Sequence, residues 1–264
     1  MSKLIRIFSS RRAWAWPYVF FLMLFVVLPL ILVAVYAFTD IDGHFTMRNF
    51  LKFFSHSEAI QTFLYSVMIA VFNTVVCLLI GYPAAYIMAQ EDFKTPKVMA
   101  MLFILPMWIN FLLRTVATVE LFNMLGLPLG EGALLFGLCY DYLPFMIYPI
   151  YNTLQKMDNS YVEAAQDLGA SRWQSFWKVI VPLSMPGVYS GIVMVFMPTV
   201  STFAIAELLT HNNIKLFGSL IQDYITTTDL LNYGAVLSLV LLVIIALTSF
   251  FGDNDDNGEK GGIV

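Results

Sequence analysis

The chain has 264 residues and a formal net charge of −4; 59% of its residues are apolar and 12% are charged. Ordinary globular domains carry about 45–50% apolar and about 25% charged residues. This composition excludes most soluble enzymes, nucleic-acid-binding proteins and disordered proteins, and it indicates a polytopic membrane protein.

Long apolar stretches follow one another along the chain. A bilayer core about 30 Å thick requires about 20 apolar residues in a helix, so each stretch of that length is a candidate span. Six stretches qualify, and they are Pro17–Phe38, Thr62–Ala89, Val98–Leu121, Ala133–Leu154, Val188–Leu208 and Tyr233–Phe251. We therefore predict an all-α polytopic membrane protein with six transmembrane helices.

The basic residues are distributed unequally between the connecting segments. If the N-terminus lies inside the cell, ten of the 14 Lys and Arg residues lie in cytoplasmic segments and the other four do not. Because short cytoplasmic loops carry the excess of positive charge, we predict that both termini are cytoplasmic. The first apolar run is longer than that of a signal peptide, which favours an uncleaved anchor over a cleaved leader.

The sequence contains no pattern typical of a catalytic or metal site. Cys77 and Cys139 lie in apolar stretches without the spacing of a disulfide framework, and we expect them to be small buried residues. The three histidines, His44, His56 and His211, lack ligand-like spacing. We therefore expect no catalytic residue and no metal.

The segment Gln155–Gly187, between the fourth and fifth predicted spans, contains helix signals. Ser160 with Glu163 has the spacing of a capping box, which predicts a helix over Tyr161–Leu168 that stops at Gly169. Ser171 with Gln174 predicts a second helix, which Pro182 is expected to end. Three aromatic residues of this second helix are expected to anchor the helix to the ends of the spans: Trp173, Phe176 and Trp177.

This segment resembles the EAA motif of the ATP-binding-cassette importer permeases. Glu163, Ala164 and Ala165 are followed after three residues by Gly169, and after nine more by Val179-Ile180-Val181-Pro182. The resemblance implies a type 1 permease domain over residues 60–251. Residues 1–59 would then hold the N-terminus, an added anchor and an outer loop, and residues 252–264 a polar cytoplasmic tail.

The resemblance also implies partners and a docking site. The residues expected to contact a separate ATPase subunit are Glu163, Ala164, Ala165, Gly169, Ser171 and Pro182. The chain has no P-loop motif, so it is expected not to be an enzyme and to bind no cofactor, and ATP and Mg would be used by two ATPase subunits. A single EAA motif implies a second, homologous permease subunit. An extracytoplasmic binding protein and a bacterial cytoplasmic membrane complete the expected assembly.

Within this family the chain is similar to the permeases for spermidine and putrescine. The stretches that carry the similarity include Gly81-Tyr82-Pro83, Leu105–Asn110 and Leu143–Met146. Permeases for other organic cations, phosphonates and iron share several of these stretches, so another small solute is the alternative cargo. A secondary transporter working alone is a further alternative.

A cationic cargo needs acidic or aromatic groups along its path. The candidates are Asp141, Glu207, Glu120, Tyr140, Tyr142, Trp108 and Asn110. Asp141 lies about eight residues into the fourth predicted span, where ionisable groups usually face a cavity or a partner. Its carboxylate would suit an ammonium group, and the alternative is an ion pair with Arg114. Asn110 has a similar ambiguity, since it would serve either an interhelical hydrogen bond or a cavity.

Overall fold

The computed structural model describes residues 16–55, 57–90, 102–103, 105–227 and 230–253, with side chains described as far as Thr248. Helices make up nearly all of this part of the chain. Within it there is no β-strand, and Thr39 and Phe45 form an isolated β-bridge. The expected all-α class is therefore confirmed.

Ten helices are numbered here in chain order. They are α1 (Trp16–Ala37), α2 (Arg48–Ser55), α3 (Ser57–Ala89), α4 (Phe111–Met124), α5 (Glu131–Lys156), α6 (Ser160–Asp167), α7 (Arg172–Ser201), α8 (Ala204–Thr210), α9 (Phe217–Thr226) and α10 (Leu231–Asp253). A 3₁₀ turn over Leu105–Trp108 precedes α4.

Five of the described helices are long and apolar enough to cross a membrane: α1, α3, α5, α7 and α10. Four of them match the predicted first, second, fourth and sixth spans to within a few residues. Pro144 and Pro149 both lie inside α5, which continues through them. The other two predicted spans require correction.

The predicted third span, Val98–Leu121, is not one continuous helix. Residues 98–101 and 104 lie outside the described residues, and a 3₁₀ turn ends at Trp108. The side chain of Asn110 accepts a hydrogen bond from the backbone N–H of Leu112 at 2.8 Å and so begins α4. With 14 residues, α4 is about 21 Å long and too short to span a bilayer alone. Asparagine is a strongly preferred N-cap residue, and an average of hydropathy over a window does not detect a helix start at a single residue.

The predicted fifth span, Val188–Leu208, is displaced and interrupted. The helix α7 begins at Arg172 and ends at Ser201; Thr202 is extended, and the chain resumes as the separate helix α8. Pro182 does not end the preceding helix as predicted. A π-helical turn over Phe176–Ile180 lies directly before it, where a regular ladder would lose a hydrogen bond to the missing proline N–H.

The chain forms two compact units. The first holds the described residues of Met1–Ser57 and Ile221–Leu242. In it Asn232 donates a hydrogen bond to the carbonyl of Thr39 at 2.8 Å, and Asn49 donates to the same carbonyl at 2.9 Å. The domain boundaries proposed from the sequence remain a prediction.

The second unit holds the described residues of Glu58–Leu220 and Val243–Val264. In it, α5 packs against α4, α7 and α8. The packing of α7 against α5 depends on glycine. A Cβ atom on Gly187 would lie 2.6 Å from Thr153 Oγ1, and one on Gly191 would lie 2.7 Å from Met146 Sδ. Side chains larger than hydrogen are therefore excluded where these two helices approach.

Two hydrophobic clusters surround α5. One includes Cys77, Met146, Ile150 and Val195, and links α3, α5 and α7. The other is built from α5 and α8 and includes Leu134, Leu138, Ile205 and Leu209, all fully buried.

Candidate functional site

The short helix α6 begins differently from the sequence prediction. Asn159 is its N-cap and does not cap the helix through its side chain, and the predicted capping box of Ser160 and Glu163 does not form. Instead Asp158 accepts a hydrogen bond from the backbone N–H of Ser160 at 2.9 Å. That bond lowers the pKa of the Asp158 carboxyl, and it occupies the Ser160 N–H that the Glu163 side chain would accept in a capping box.

Gly169 ends α6 as predicted. Its φ is +86°, and its N–H bonds to the carbonyl of Gln166 at 2.8 Å while that of Ala170 bonds to Ala165 at 3.0 Å. These two bonds form a Schellman motif, which needs a left-handed residue at this position. The predicted capping box at Ser171 is also confirmed, because Ser171 and Gln174 exchange side-chain to backbone bonds.

The turn between α6 and α7 presents apolar side chains to its surroundings. The exposed fractions are 90% for Leu168, 69% for Trp173, 57% for Tyr161 and 54% for Trp177. We call these four residues the turn surface. Exposed apolar groups gathered in this way mark sites of interaction with another protein or with membrane.

The anchoring role expected of three aromatic residues falls to one of them. Phe176 packs against Tyr86 and Tyr82 of α3, with ring centroids 5.1 and 6.0 Å apart. Trp173 and Trp177 remain exposed on the turn surface, so their expected anchoring role is wrong in this structure. Because Phe176 fixes the base of the turn, the turn is attached to the end of α3.

A cleft of about 420 Å³ lies beneath α6. Its polar lining includes Glu163, Gln166, Arg172 and the buried Ser175. The structure thus brings five of the predicted docking residues into one turn, and these are Glu163, Ala164, Ala165, Gly169 and Ser171. Pro182 lies inside α7, outside that turn.

A second candidate site lies between α4 and α5. Arg114 Nε is 3.3 Å from Asp141 Oδ1, and both side chains are buried. Thr115 donates a hydrogen bond to Asp141 Oδ2 at 3.0 Å. The ion pair considered from the sequence is therefore present, and a contact between Asp141 and cargo stays a prediction.

A cavity of about 570 Å³ adjoins this pair. Three predicted path residues line it together with Arg114, and these are Trp108, Asn110 and Tyr142. The break between α7 and α8 supplies Ser201, Thr202 and Phe203 to the same wall. This break was not predicted from the sequence, where Pro198 shortly before it is the one signal.

The other predicted path residues lie apart from this cavity. Tyr140 stacks against Phe136 at 6.4 Å and lines an apolar groove of about 420 Å³ between α3 and α5. Glu120 is exposed on α4, and Glu207 is half-buried in α8. Within the described ranges, no group of His, Cys, Asp and Glu side chains could hold a metal.

Comparison with known proteins identifies similar sequences over most of the chain. The family model described as "Binding-protein-dependent transport system inner membrane component" matches residues 81–254. The chain is 33% identical over 252 residues to the spermidine/putrescine transport system permease protein PotB of Haemophilus influenzae, covering 87% of this chain and 88% of that one. The PotB protein of Escherichia coli is 31% identical over 249 residues, or 86% and 90% of the two chains.

The fold also matches a solved structure. A chain of a bacterial alginate ABC transporter, determined in complex with its alginate pentasaccharide-bound periplasmic protein, aligns with a TM-score of 0.71. The alignment covers 99% of both chains at 15% identity. At that identity the likeness concerns the fold.

Proposed function

The chain belongs to the family of binding-protein-dependent transport system inner membrane components, and on this basis we propose that it is the permease subunit of an ATP-driven polyamine importer. The observation that carries the proposal is 33% identity to a spermidine/putrescine permease over 87% of the chain. That alignment is long enough to include both candidate sites. The chain would form half of a translocation path in the bacterial cytoplasmic membrane, with both termini in the cytoplasm.

Docking of an ATPase subunit is assigned to the turn between α6 and α7. The turn surface offers exposed apolar side chains, and its shape is held by the Schellman motif at Gly169 and the capping box at Ser171. Such a rigid apolar projection suits insertion into a cleft of a partner. Phe176 connects it to α3, so a displacement of the turn would reach a membrane-spanning helix. The ATPase would use ATP and Mg.

The translocation path is assigned to the cavity beside Arg114. Its wall carries the aromatic rings of Trp108, Tyr142 and Phe145, which attract ammonium groups through cation–π interactions. A second permease subunit would supply the other side of the path. An extracytoplasmic binding protein would deliver the cargo.

The proposal is tested by uptake of labelled spermidine in cells without their own polyamine import, expressing the chain with its partner subunits. We expect saturable uptake that putrescine competes for. Uptake of another solute that polyamines do not compete for would overturn the cargo assignment while leaving the permease assignment in place.

The docking assignment is tested separately by co-purification of the ATPase. Glu163→Lys and Gly169→Asp are expected to reduce both co-purification and uptake. Gly132→Asp is the matched control, because a Cβ on Gly132 would meet open space. If both docking variants kept their ATPase and their uptake, the docking assignment would be wrong.

A further inference from the structure

The ion pair on the wall of the 570 Å³ cavity is held by charge, with few hydrogen bonds. Arg114 Nε and Asp141 Oδ1 are 3.3 Å apart, yet neither atom has a hydrogen-bond partner among the described residues. The same holds for Arg114 Nη1. Buried charges normally gain hydrogen bonds that offset the cost of removing them from water, and this pair is only partly satisfied.

The two partners differ in their relation to the cavity. Arg114 lines it, whereas Asp141 is 1% exposed and does not. Arg114 is therefore the member of the pair that the cavity reaches. Because Arg114 Nε is the cation beside Asp141 Oδ1, a cationic group that comes from the cavity to Oδ1 would compete with Arg114.

Two further groups already lie close to the guanidinium while it pairs with Asp141. Arg114 Cζ lies 5.9 Å from the ring centroid of Tyr140, within the range of a cation–π interaction. Arg114 Nη2 is 3.5 Å from the backbone carbonyl of Asp141. These two groups would hold the guanidinium after it leaves the carboxylate, so its release does not leave it without contacts.

We propose that Asp141 is a masked cargo carboxylate, and that a protonated amine of the cargo displaces Arg114 from it in a cation exchange. The inference rests on the proposed polyamine import. The incoming ammonium would donate to Asp141 Oδ1, the atom without a hydrogen-bond partner among the described residues. Thr115 would keep its bond to Oδ2 and hold the carboxylate in place. When no cargo is present, Arg114 neutralises the buried charge.

The rival account is a permanent ion pair that only joins α4 to α5. The two accounts differ in what the neutral double variant does. A permanent pair can be replaced by two neutral side chains, because no buried charge is left without a partner. A cargo carboxylate cannot be replaced in this way.

The test uses the whole importer in proteoliposomes and measures KM and Vmax for spermidine uptake. The variants are Asp141→Asn, Arg114→Met, and the two combined. Glu58→Gln, which removes an exposed carboxylate at the start of α3, is the control for the loss of one negative charge. Assembly with the partner subunits is measured for each variant.

We expect Asp141→Asn to raise KM by about tenfold or more, the loss expected for a charge-assisted hydrogen bond. The double variant is expected to assemble and to keep that raised KM. Arg114→Met should lower KM by about threefold, because the carboxylate is then always available. The double variant decides the matter even if a single variant fails to fold, since it contains no unpaired buried charge.

Uptake by the double variant with a KM close to that of the wild type would overturn the inference and support the permanent pair. So would equal damage from the two single variants with recovery in the double variant. If the wild-type importer did not transport spermidine, the proposed cargo would fall, and this inference with it.

Discussion

The Sγ atoms of Cys77 in α3 and Cys139 in α5 lie 3.8 Å apart, and both cysteines are free. The residues are 62 positions apart in the sequence and show no spacing typical of a pair. Cys77 is fully buried, while Cys139 also lines the apolar groove between the two helices. This contact therefore depends on how α3 is positioned along and around α5, which we call the register of the two helices.

This register predicts a crosslink. A membrane-permeant thiol oxidant should join Cys77 to Cys139 within one chain, because the two sulfur atoms are already in contact. Mass spectrometry of the digested protein should detect the linked peptides after oxidation and lose them after reduction. Cys139→Ala is the control that removes the product. Absence of the linked peptides in the wild type, while the same oxidant modifies Cys77 in the Cys139→Ala variant, would show that this register is wrong.

Gly191 provides a test of helix packing. Gly191→Val should destabilise the protein by about 1–3 kcal/mol, the usual cost of overpacking a filled core, because its Cβ would lie 2.7 Å from Met146 Sδ. The measurement is thermal unfolding of the purified protein in detergent. Gly132→Val is the matched comparison, since its Cβ would meet no atom within 4 Å. Equal midpoints for the two variants would contradict the close approach of α5 and α7.

Gly169 is predicted to be required for its backbone conformation. A β-branched residue at φ +86° is strained by about 1–2 kcal/mol, so Gly169→Val should open the turn and weaken binding of the ATPase. Gly169→Asn should be milder, because asparagine tolerates left-handed conformations. The measurement is the amount of ATPase that co-purifies, which should decrease from the wild type to Gly169→Asn to Gly169→Val. If valine and asparagine were equally harmful, side-chain size and not backbone conformation would explain the effect.

Leu168 tests the turn surface without disturbing the fold. Because its side chain is 90% exposed, Leu168→Asp should leave thermal stability almost unchanged. The same variant should reduce co-purification of the ATPase by about tenfold, because docking would remove the new carboxylate from water without a charged partner. Exposed Asp167→Asn, at the preceding position of the same turn, is the comparison. Undiminished ATPase binding by Leu168→Asp would remove the turn surface from the interface.

Asn110 is predicted to matter through its cap. Asn110→Ala should destabilise the start of α4 by about 1 kcal/mol, whereas Asn110→Ser should retain most of the stability. Thermal unfolding of both variants is the measurement. A serine variant as unstable as the alanine variant would mean that Asn110 acts through another contact in the cavity.

Some of these features were predictable because their causes are local. The stop at Gly169 follows from the freedom of glycine to adopt positive φ, and the start at Ser171 follows from a capping box four residues long. Four of the predicted spans are also right, because twenty apolar residues in a row have few alternatives to a transmembrane helix. The predicted capping box at Ser160 is absent because a second acceptor lies nearby. The backbone N–H of Ser160 donates to Asp158, whereas the capping box would have it donate to Glu163.

Hydropathy failed where a polar or extended residue interrupts an apolar stretch. Asn110 begins α4 inside the predicted third span, and Thr202 separates α7 from α8 inside the fifth. Averaged hydrophobicity passes over a single residue, yet one backbone break changes where a helix ends. Both breaks line the same cavity, so the two wrongly predicted spans are the ones that form the candidate translocation path.

The composition and local signals alone determined that this protein is a membrane protein, that it is helical, and where the turn between α6 and α7 begins and ends. Those properties depend on water leaving apolar surface and on backbone bonds within a few residues. Only the tertiary structure decided that Asp141 faces Arg114, that Cys77 meets Cys139, and that Trp108 shares a cavity with Tyr142. Such pairings depend on the rotation of one helix against another, which is set by close packing across the whole core. No pattern of fixed spacing along the chain encodes that rotation.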